Sequence, residues 1–329
     1  MNIRQISAMC GVSVCTVSRV LNGRAAEFRI AGATAGRILA VARKANYRPN
    51  YLAQSLNTGR TFTIGLVFAN TVDNYLGSIM EGVESHLRGT EYQTVVATGE
   101  NDIRLQDQAI RRMLYRHLDG IILYPQAMAP GDTYALPAPV GKRKRHVPIV
   151  LIGRTIPVER DQVMLTDYEA GVATARYFLA AGCRRLAFLT RPTNCSSDRG
   201  RERGFMDTLR NAGVPASRRI VVEEADGPSA EALRRLSSAD ALFGVNSRLL
   251  LTFVEALREL TNVRRMRVVS VGAIEGGHLL DLQLKTWTVP GRRMGEEAAR
   301  LLLWRLEHPS APWEKVTVPL EWEGGKPET

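Results

Sequence analysis

Cysteine and histidine are scarce in this chain, with four cysteines (Cys10, Cys15, Cys183, Cys195) and five histidines among 329 residues. No CxxC, HxxxH or HExxH spacing occurs, which excludes a disulfide framework and the common zinc arrangements. Reduced thiols and no bound metal are expected. Long apolar runs are also missing. None approaches the roughly 18 residues a membrane-spanning helix needs, and the opening MNIRQISAMCGVSV has no continuous apolar signal core. A cytoplasmic protein with no membrane partner is expected. Enzyme signatures are absent in turn: GAIEGGH at Gly272 to His278 lacks the GK[ST] ending of a phosphate loop, no GxGxxG follows the first strand, and no GxSxG occurs. The expectation is therefore no catalytic residue and no cofactor.

Acids are nearly absent from the first 60 residues, where nine basic side chains face Glu27 alone, a net charge of +8. The rest of the chain holds 35 bases and 32 acids, a net +3. Such a basic head on a nearly balanced body points to a polyanion as the partner of the head. A content of 45% hydrophobic and 23% charged residues is that of a soluble globular protein and argues against a disordered or collagen-like chain. The length suggests more than one domain.

The head reads as short helices broken by turns. Asn2 with Gln5 has the spacing of a capping box, and Ile3, Ile6 and Met9 recur at helical intervals. Gly11 ends that helix. Ser13 caps the next, where Val14, Val17, Val20 and Leu21 keep a 3.6 period until Asn22-Gly23 closes it. A turn this short makes the two helices cross steeply, as in a helix-turn-helix. A third helix is expected from Thr34 to Ala45. Asn50 to Leu56 has the pattern of a further helix, too short to be stable alone in water. This reading divides the chain into a helix-turn-helix domain at 1–46, a hinge helix and linker at 47–60, and a body at 61–329.

From residue 62 onward apolar runs alternate with amphipathic helices, the mark of βαβ units and parallel sheets covered on both faces. Strands are expected at Phe62 to Phe68, Thr94 to Ala97, Gly120 to Tyr124, Ile149 to Ile152, Arg185 to Leu189, Ile220 to Val222, Ala241 to Val245 and Val268 to Val271. Two side-by-side α/β subdomains suit this many strands better than one sheet.

A helix offered to the DNA major groove needs small or polar residues in its first turns and bases to meet phosphates. Val14, Cys15, Thr16, Ser18 and Arg19 hold those places, flanked by Ser13 and Asn22. The Arg19 fork suits guanine, Thr16 and Ser18 can donate to phosphates, and Val14 or Cys15 can touch a thymine methyl. A small basic helical domain with no DNA role is the alternative at this point.

The stretch IRQISAMCGVSVCTVSRVLNG, followed by NYRPNYLAQSLNTGRTFTIGLVF, resembles the lactose/galactose repressor family of bacterial transcription regulators. The likeness continues through VMLTDYEAGVATARYFLAAGCRRLAFL, RERGFMDTLRNAG, ALFGVNSRLLL and MGEEAARLLLWRL. It implies a small all-α helix-turn-helix head and an α/β body of two parallel-sheet subdomains, like periplasmic sugar-binding proteins. It further implies that Val14, Cys15 and Arg19 read the operator, that Leu56 wedges into the central minor-groove step, and that Asn50 and Ala53 face the groove and backbone. The loop from Asn22 to Ile30 is a few residues longer than in many members, as in the branch with the fructose-responsive catabolite and sucrose-operon repressors. A head this small needs two copies, held by a homodimeric body, to read a palindromic double-stranded operator. The tail EWEGGKPET lacks heptad leucines, which argues against a tetramerising coiled coil and leaves a dimer.

The resemblance also places a small-molecule effector, a carbohydrate or derivative, in the cleft between the subdomains. Matching positions are Asp73, Tyr75, Gln126, Arg154, Arg201, Asn246 and Glu275. Tyr75 either stacks on a sugar face or packs its helix. Two carboxylates usual in the family are lost or moved: Gly153 stands in IGR and Ile274-Glu275 in VGAIEG, while Ser247 follows Asn246. Arg154, Arg199 and Arg201 are expected near the cleft, with Arg199 equally a solvated helix-entry residue. Fewer acids with guanidinium forks kept favours an anionic effector, a sugar acid or sugar phosphate. The run Lys142 to His146 (KRKRH) reads as a solvated loop, or else a phosphate patch. The family pattern implies a repressor, although no motif sets the sign of coupling. The rival readings are an enzyme fused to a DNA-binding head and a free-standing carbohydrate-binding protein, which the basic head disfavours.

Overall fold

The computed structural model describes residues 1–21, 23–47, 55, 59–70, 75–128, 136–137, 147–224, 227–261 and 263–323. Backbone contacts divide the chain into two units, Met1–Phe62 and Thr63–Thr329.

The first unit holds α1 (Ile3–Cys10), α2 (Val14–Leu21) and α3 (Gly32–Lys44). The capping box at the start of α1 is formed reciprocally. Gln5 N donates to Asn2 Oδ1 at 3.0 Å and Asn2 N to Gln5 Oε1 at 2.8 Å. Gly11, at φ 62°, takes the left-handed conformation that stops α1, a turn that a side chain would strain. Thr16 N donates to Ser13 Oγ at 3.1 Å, which caps α2. Ile6, Cys10, Val17, Val20, Ile38 and Ala42 bury one small shared core.

The second unit contains two six-stranded sheets. One is built from β1 (Thr63–Phe68), β2 (Gln93–Thr98), β3 (Gly120–Leu123), β4 (Ile149–Ile152), β5 (Asp161–Leu165) and β11 (Lys315–Val318), in the order β11-β5-β4-β3-β1-β2, all parallel. The other is built from β6 (Leu186–Thr190), β7 (Arg219–Glu223), β8 (Ala241–Gly244), β9 (Arg267–Val271), β10 (Gln283–Thr288) and β12 (Glu321–Trp322), in the order β12-β10-β9-β8-β6-β7. Only β12 runs antiparallel to its neighbour. The expected α/β architecture is therefore present as two lobes. Strands β5, β10, β11 and β12 are additions to the sequence-based reading.

Helices α4 (Leu76–Leu87), α5 (Ile103–Tyr115) and α10 (Gly291–Glu307) belong to the first lobe. Helices α6 (Asp167–Ala180), α7 (Ser196–Asn211), α8 (Ala230–Leu236) and α9 (Ser247–Leu257) belong to the second. Each lobe contains one helix pair packed through glycines. A Cβ on Gly82 of α4 would lie 2.0 Å from Arg292 O of α10, and one on Gly204 of α7 would lie 2.0 Å from Tyr168 O of α6. Backbones this close admit no side chain, and the α6–α7 contact sets where Arg201 projects.

The chain passes between the lobes three times, after β5, after β10 and after β11. The first and third crossings are joined, since Leu320 N donates to Thr166 Oγ1 at 2.9 Å. At the opposite end of β5, buried Arg305 near the end of α10 grips buried Asp161 at the start of the strand, with Nε and Nη2 each 2.7 Å from a carboxylate oxygen. Arg305 also donates to Ala311 O and Pro312 O, so every partner of this ion pair is hydrogen-bonded, as burial of charge requires.

Candidate functional site

In the head, the first turns of α2 leave Val14 and Cys15 exposed and Thr16, Ser18 and Arg19 half-buried. Ser13 Oγ and Thr16 Oγ1 lie 2.8 Å apart. The Arg19 guanidinium rests on the ring of Phe28, 3.8 Å from its centroid, a contact that sequence pattern did not suggest. Asn22, Asn50, Ala53 and Leu56, assigned above to operator contact, lie outside the described residues.

In the body, the carboxyl ends of the parallel strands of both lobes point at one cleft, the usual place for a ligand in such sheets. It encloses a cavity of about 320 Å3. Asn70 follows β1, Asn101 follows β2, Tyr124 and Gln126 follow β3, and Arg154 follows β4. From the other lobe come Arg191 and Thr193 after β6, Asp198 and Arg201 on α7, and Asn246 and Arg248 after β8. Leu165 and Val289, at two of the crossings, complete the lining.

Tyr75, Gln126, Arg154, Arg201 and Asn246 thus meet in one cavity. Asp73 lies outside the described residues, and Lys142 to His146 likewise. Glu275 is exposed and lines an adjoining, wider depression of about 1030 Å3, not the cavity that holds the arginines. Of the two readings of Arg199, the structure places it as a solvated residue at the entry of α7. It sits outside the cavity, donating to Thr193 O at 2.9 Å and pairing with Glu202 and Glu223 at 2.7 and 3.0 Å.

The five residues do different work. Asn246 Oδ1 caps α9 by accepting from Leu249 N at 2.9 Å, which fixes its amide at the cavity wall. Tyr75 OH is hydrogen-bonded to Tyr124 OH, and the two rings meet edge-on with centroids 6.0 Å apart. Gln126 N donates to Gln106 Oε1 at 2.9 Å, while the Gln126 Oε1 atom is buried without a partner. Arg201 is heavily engaged: Nε reaches Asp167 at 2.8 Å and Nη1 reaches Val245 O at 2.7 Å, with Asp198 3.9 Å away.

Arg154 is different. It is 8% exposed, lies 4.6 Å over the Tyr124 ring and donates through Nη1 to Pro125 O at 3.1 Å, yet its buried Nε has no hydrogen-bond partner among the described residues. An unpaired buried donor is costly unless something completes it. Burial works against the Arg154 charge, but Tyr124, Cys195, Tyr75 and Asp198 outweigh it and raise its pKa. Burial likewise opposes the Arg201 charge and is outweighed by Asp167 and Asp198. Burial pushes the Asp167 carboxyl up from its ordinary range, against the pull of Arg201.

Among the described residues four arginines and one carboxylate, Asp198, line the cavity. Asp198 is already bound to Arg191 at 3.2 Å. The lining therefore offers positive charge and flat donors to an incoming small molecule. Three hydrogen bonds tie the lobes across the cleft: Thr193 Oγ1 and Asn194 N both donate to Met128 O, at 2.9 and 2.8 Å, and Thr155 N donates to Ser196 Oγ at 2.8 Å. Sequence reasoning missed Arg191 and Asp198. Their signal was the polar stretch RPTNCSSD directly after a parallel strand. Among the described residues no helix is long and apolar enough to cross a membrane.

Comparison with known proteins agrees with this geometry. Residues 61–234 match the family described as periplasmic binding proteins and sugar binding domain of LacI family, and residues 2–50 match bacterial regulatory proteins, lacI family. Residues 175–325 also match a periplasmic binding protein-like domain. The HTH-type transcriptional regulator PtxS of Pseudomonas aeruginosa is 28% identical over 97% of this chain and 93% of its own length. Among solved structures, the Lac repressor dimer bound to operator and an anti-inducer is similar with a TM-score of 0.78 at 18% identity, covering 99% of this chain and 98% of that one. The regulator CelR in complex with cellobiose has a TM-score of 0.66 at 21% identity, with both chains fully covered. The structural likenesses establish the fold, and the family matches, spanning the head and more than half of the chain, place this protein in the LacI family of bacterial regulatory proteins.

Proposed function

We propose that the protein is a cytoplasmic, non-enzymatic repressor that binds a palindromic operator as a homodimer and whose grip on DNA is set by an anionic carbohydrate derivative in the cleft. One observation carries the effector class: buried Arg154, whose Nε has no hydrogen-bond partner among the described residues, belongs to the lining of a cavity in which arginines outnumber carboxylates four to one among those residues. A sugar carboxylate or phosphate completes that donor with a charge-assisted hydrogen bond. The hydroxyls of the same ligand find Gln126 Oε1, the Asn246 amide and Thr193. Arg201 and Arg191 already have carboxylates, so a neutral sugar would leave Arg154 without an anionic partner among the described residues.

The dimer reading rests on β2, an edge strand that displays Val95 and Val96 at 41% and 48% exposure. Such an edge is normally covered or protected. The Lac repressor named above is itself a dimer on its operator. DNA-reading residues are those of α2, with Arg19 foremost, while Asn50, Ala53 and Leu56 supply the hinge contacts.

A panel of neutral sugars, their aldonic acids and their phosphates, tested by thermal shift and then for release of the operator, decides the matter. An acid or phosphate is expected to raise the melting temperature and alter operator affinity where its neutral parent does neither. Stabilisation by neutral sugars alone would overturn the effector class.

A further inference from the structure

The connection between α2 and α3 is wound as tight turns beyond Gly23. Arg24 N donates to Arg19 O at 2.9 Å, Phe28 N to Arg24 O at 3.3 Å and Ile30 N to Ala25 O at 2.9 Å. Ala25 and Ile30 pack against the core of the head, whereas Phe28 is not among its described members. The half-buried Phe28 ring lies instead beneath Arg19, 3.8 Å from guanidinium carbon to ring centroid, with Arg24 5.0 Å from the same centroid. Arg24 is held by Glu27 through two hydrogen bonds of 2.7 and 2.6 Å. Glu27 is the single acid of the first 60 residues, so the loop spends its carboxylate on Arg24 and its aromatic face on Arg19.

From this geometry we infer that Phe28 is a positioning residue that sets Arg19 for reading a base. The inference rests on the assignment of Arg19 as a base reader. A guanidinium stacked on a ring is held through its flat face, which leaves its in-plane N–H donors free. Those donors match O6 and N7 of guanine in the major groove. A long, unrestrained arginine loses rotamer freedom when it docks, and stacking removes part of that loss beforehand. The extra length of the loop thereby acquires a purpose: it carries an aromatic platform to the reading helix.

The test uses the full chain and the duplex that the wild type selects from a pool of random palindromes, with binding followed by fluorescence anisotropy over a range of salt. Phe28→Leu keeps apolar bulk and removes the π face. It is expected to weaken binding to the selected duplex about five-fold, the size of an exposed to half-buried cation–π contact. Binding to random duplex and the salt slope stay unchanged, and the preference lost is the same base pair that Arg19→Ala loosens. Phe28→Trp restores binding, and Phe28→Leu adds no loss in the Arg19→Ala background. An equal loss on random duplex, or an equal loss without Arg19, reduces Phe28 to a fold-holding residue and overturns the inference. If Arg19→Ala selects the same duplex as the wild type, the assignment of Arg19 falls, and the inference with it. A wild type that selects no duplex overturns the DNA-binding reading itself.

Discussion

Replacing Arg154 with methionine separates charge recognition from every other property of the cleft. Methionine retains an unbranched apolar stem against the Tyr124 ring, which the guanidinium now covers at 4.6 Å. What disappears is the Nε edge of the fork, the donor without a partner. A hydrogen bond to an ionised group contributes about 1.5–3 kcal/mol. Two such bonds from one guanidinium edge to a carboxylate or phosphate sum to about 3 kcal/mol at the low end, or roughly a hundredfold in Kd. The fold should lose little, because among the described residues Arg154 holds no carboxylate in an ion pair and its backbone hydrogen bond to Pro125 O contributes only about 1.5–3 kcal/mol. Isothermal titration with the best anion of the ligand panel and with its neutral parent is the assay. The anion is expected to lose about two orders of magnitude and the parent nothing, with operator affinity of the unliganded protein unchanged. Arg154→Lys, which keeps the charge but not the fork, should fall between the two. Equal weakening of anion and neutral parent would refute the reasoning, since Arg154 would then shape the cavity without recognising charge.

Other consequences concern stability and assembly. Arg305→Met strands Asp161, which is 0% exposed, and should cost about 3–5 kcal/mol in urea denaturation; a loss under about 1 kcal/mol would show that water reaches the carboxylate. Gly204→Ala sets two effects in opposition, a helix-propensity gain of about 1 kcal/mol and a Cβ placed 2.0 Å from Tyr168 O. Overpacking at about 1–3 kcal/mol should win, so a stabilised variant in the same assay would contradict the described α6–α7 contact. Val96→Lys on the β2 edge should shift the protein toward monomer in light scattering, and an unchanged mass would place the dimer contact elsewhere.

The parts of the fold legible in the sequence are those set by local rules. Asn2, Gln5 and Gly11 announce α1 because caps act within one turn, and the buried runs of β3, β4 and β8, and of β1 from Ile64 on, are apolar throughout. Strand β5 escaped notice because it opens with Asp161 and Gln162, buried polar residues whose partners come from far along the chain. Strand β10, QLKTWT, breaks the period of two at Lys285-Thr286, and β11, KVTV, is only four residues long, too short for its alternation to stand out. In the cleft, the family motif located Arg154, Arg201 and Asn246, yet nothing local distinguishes the engaged Arg201 from the unpaired Arg154. That difference comes from Asp167 and Val245, both more than 30 residues distant from Arg201 in sequence. The Phe28 platform was hidden for the opposite reason. Its partner is close in sequence, but only the turn geometry of the loop brings ring and guanidinium face to face.

Three crossings, two of them hydrogen-bonded to each other through Thr166 and Leu320, are the covalent pin between the lobes. A guest resting on Leu165 and Val289 sits beside that pin. Strand β1 runs from the cleft end at Phe68 back to Thr63, a stiff arm of about 17 Å at roughly 3.3 Å per residue. Through Asn70, which lines the cavity, that arm joins the guest's site to Thr63, the residue at which the body begins.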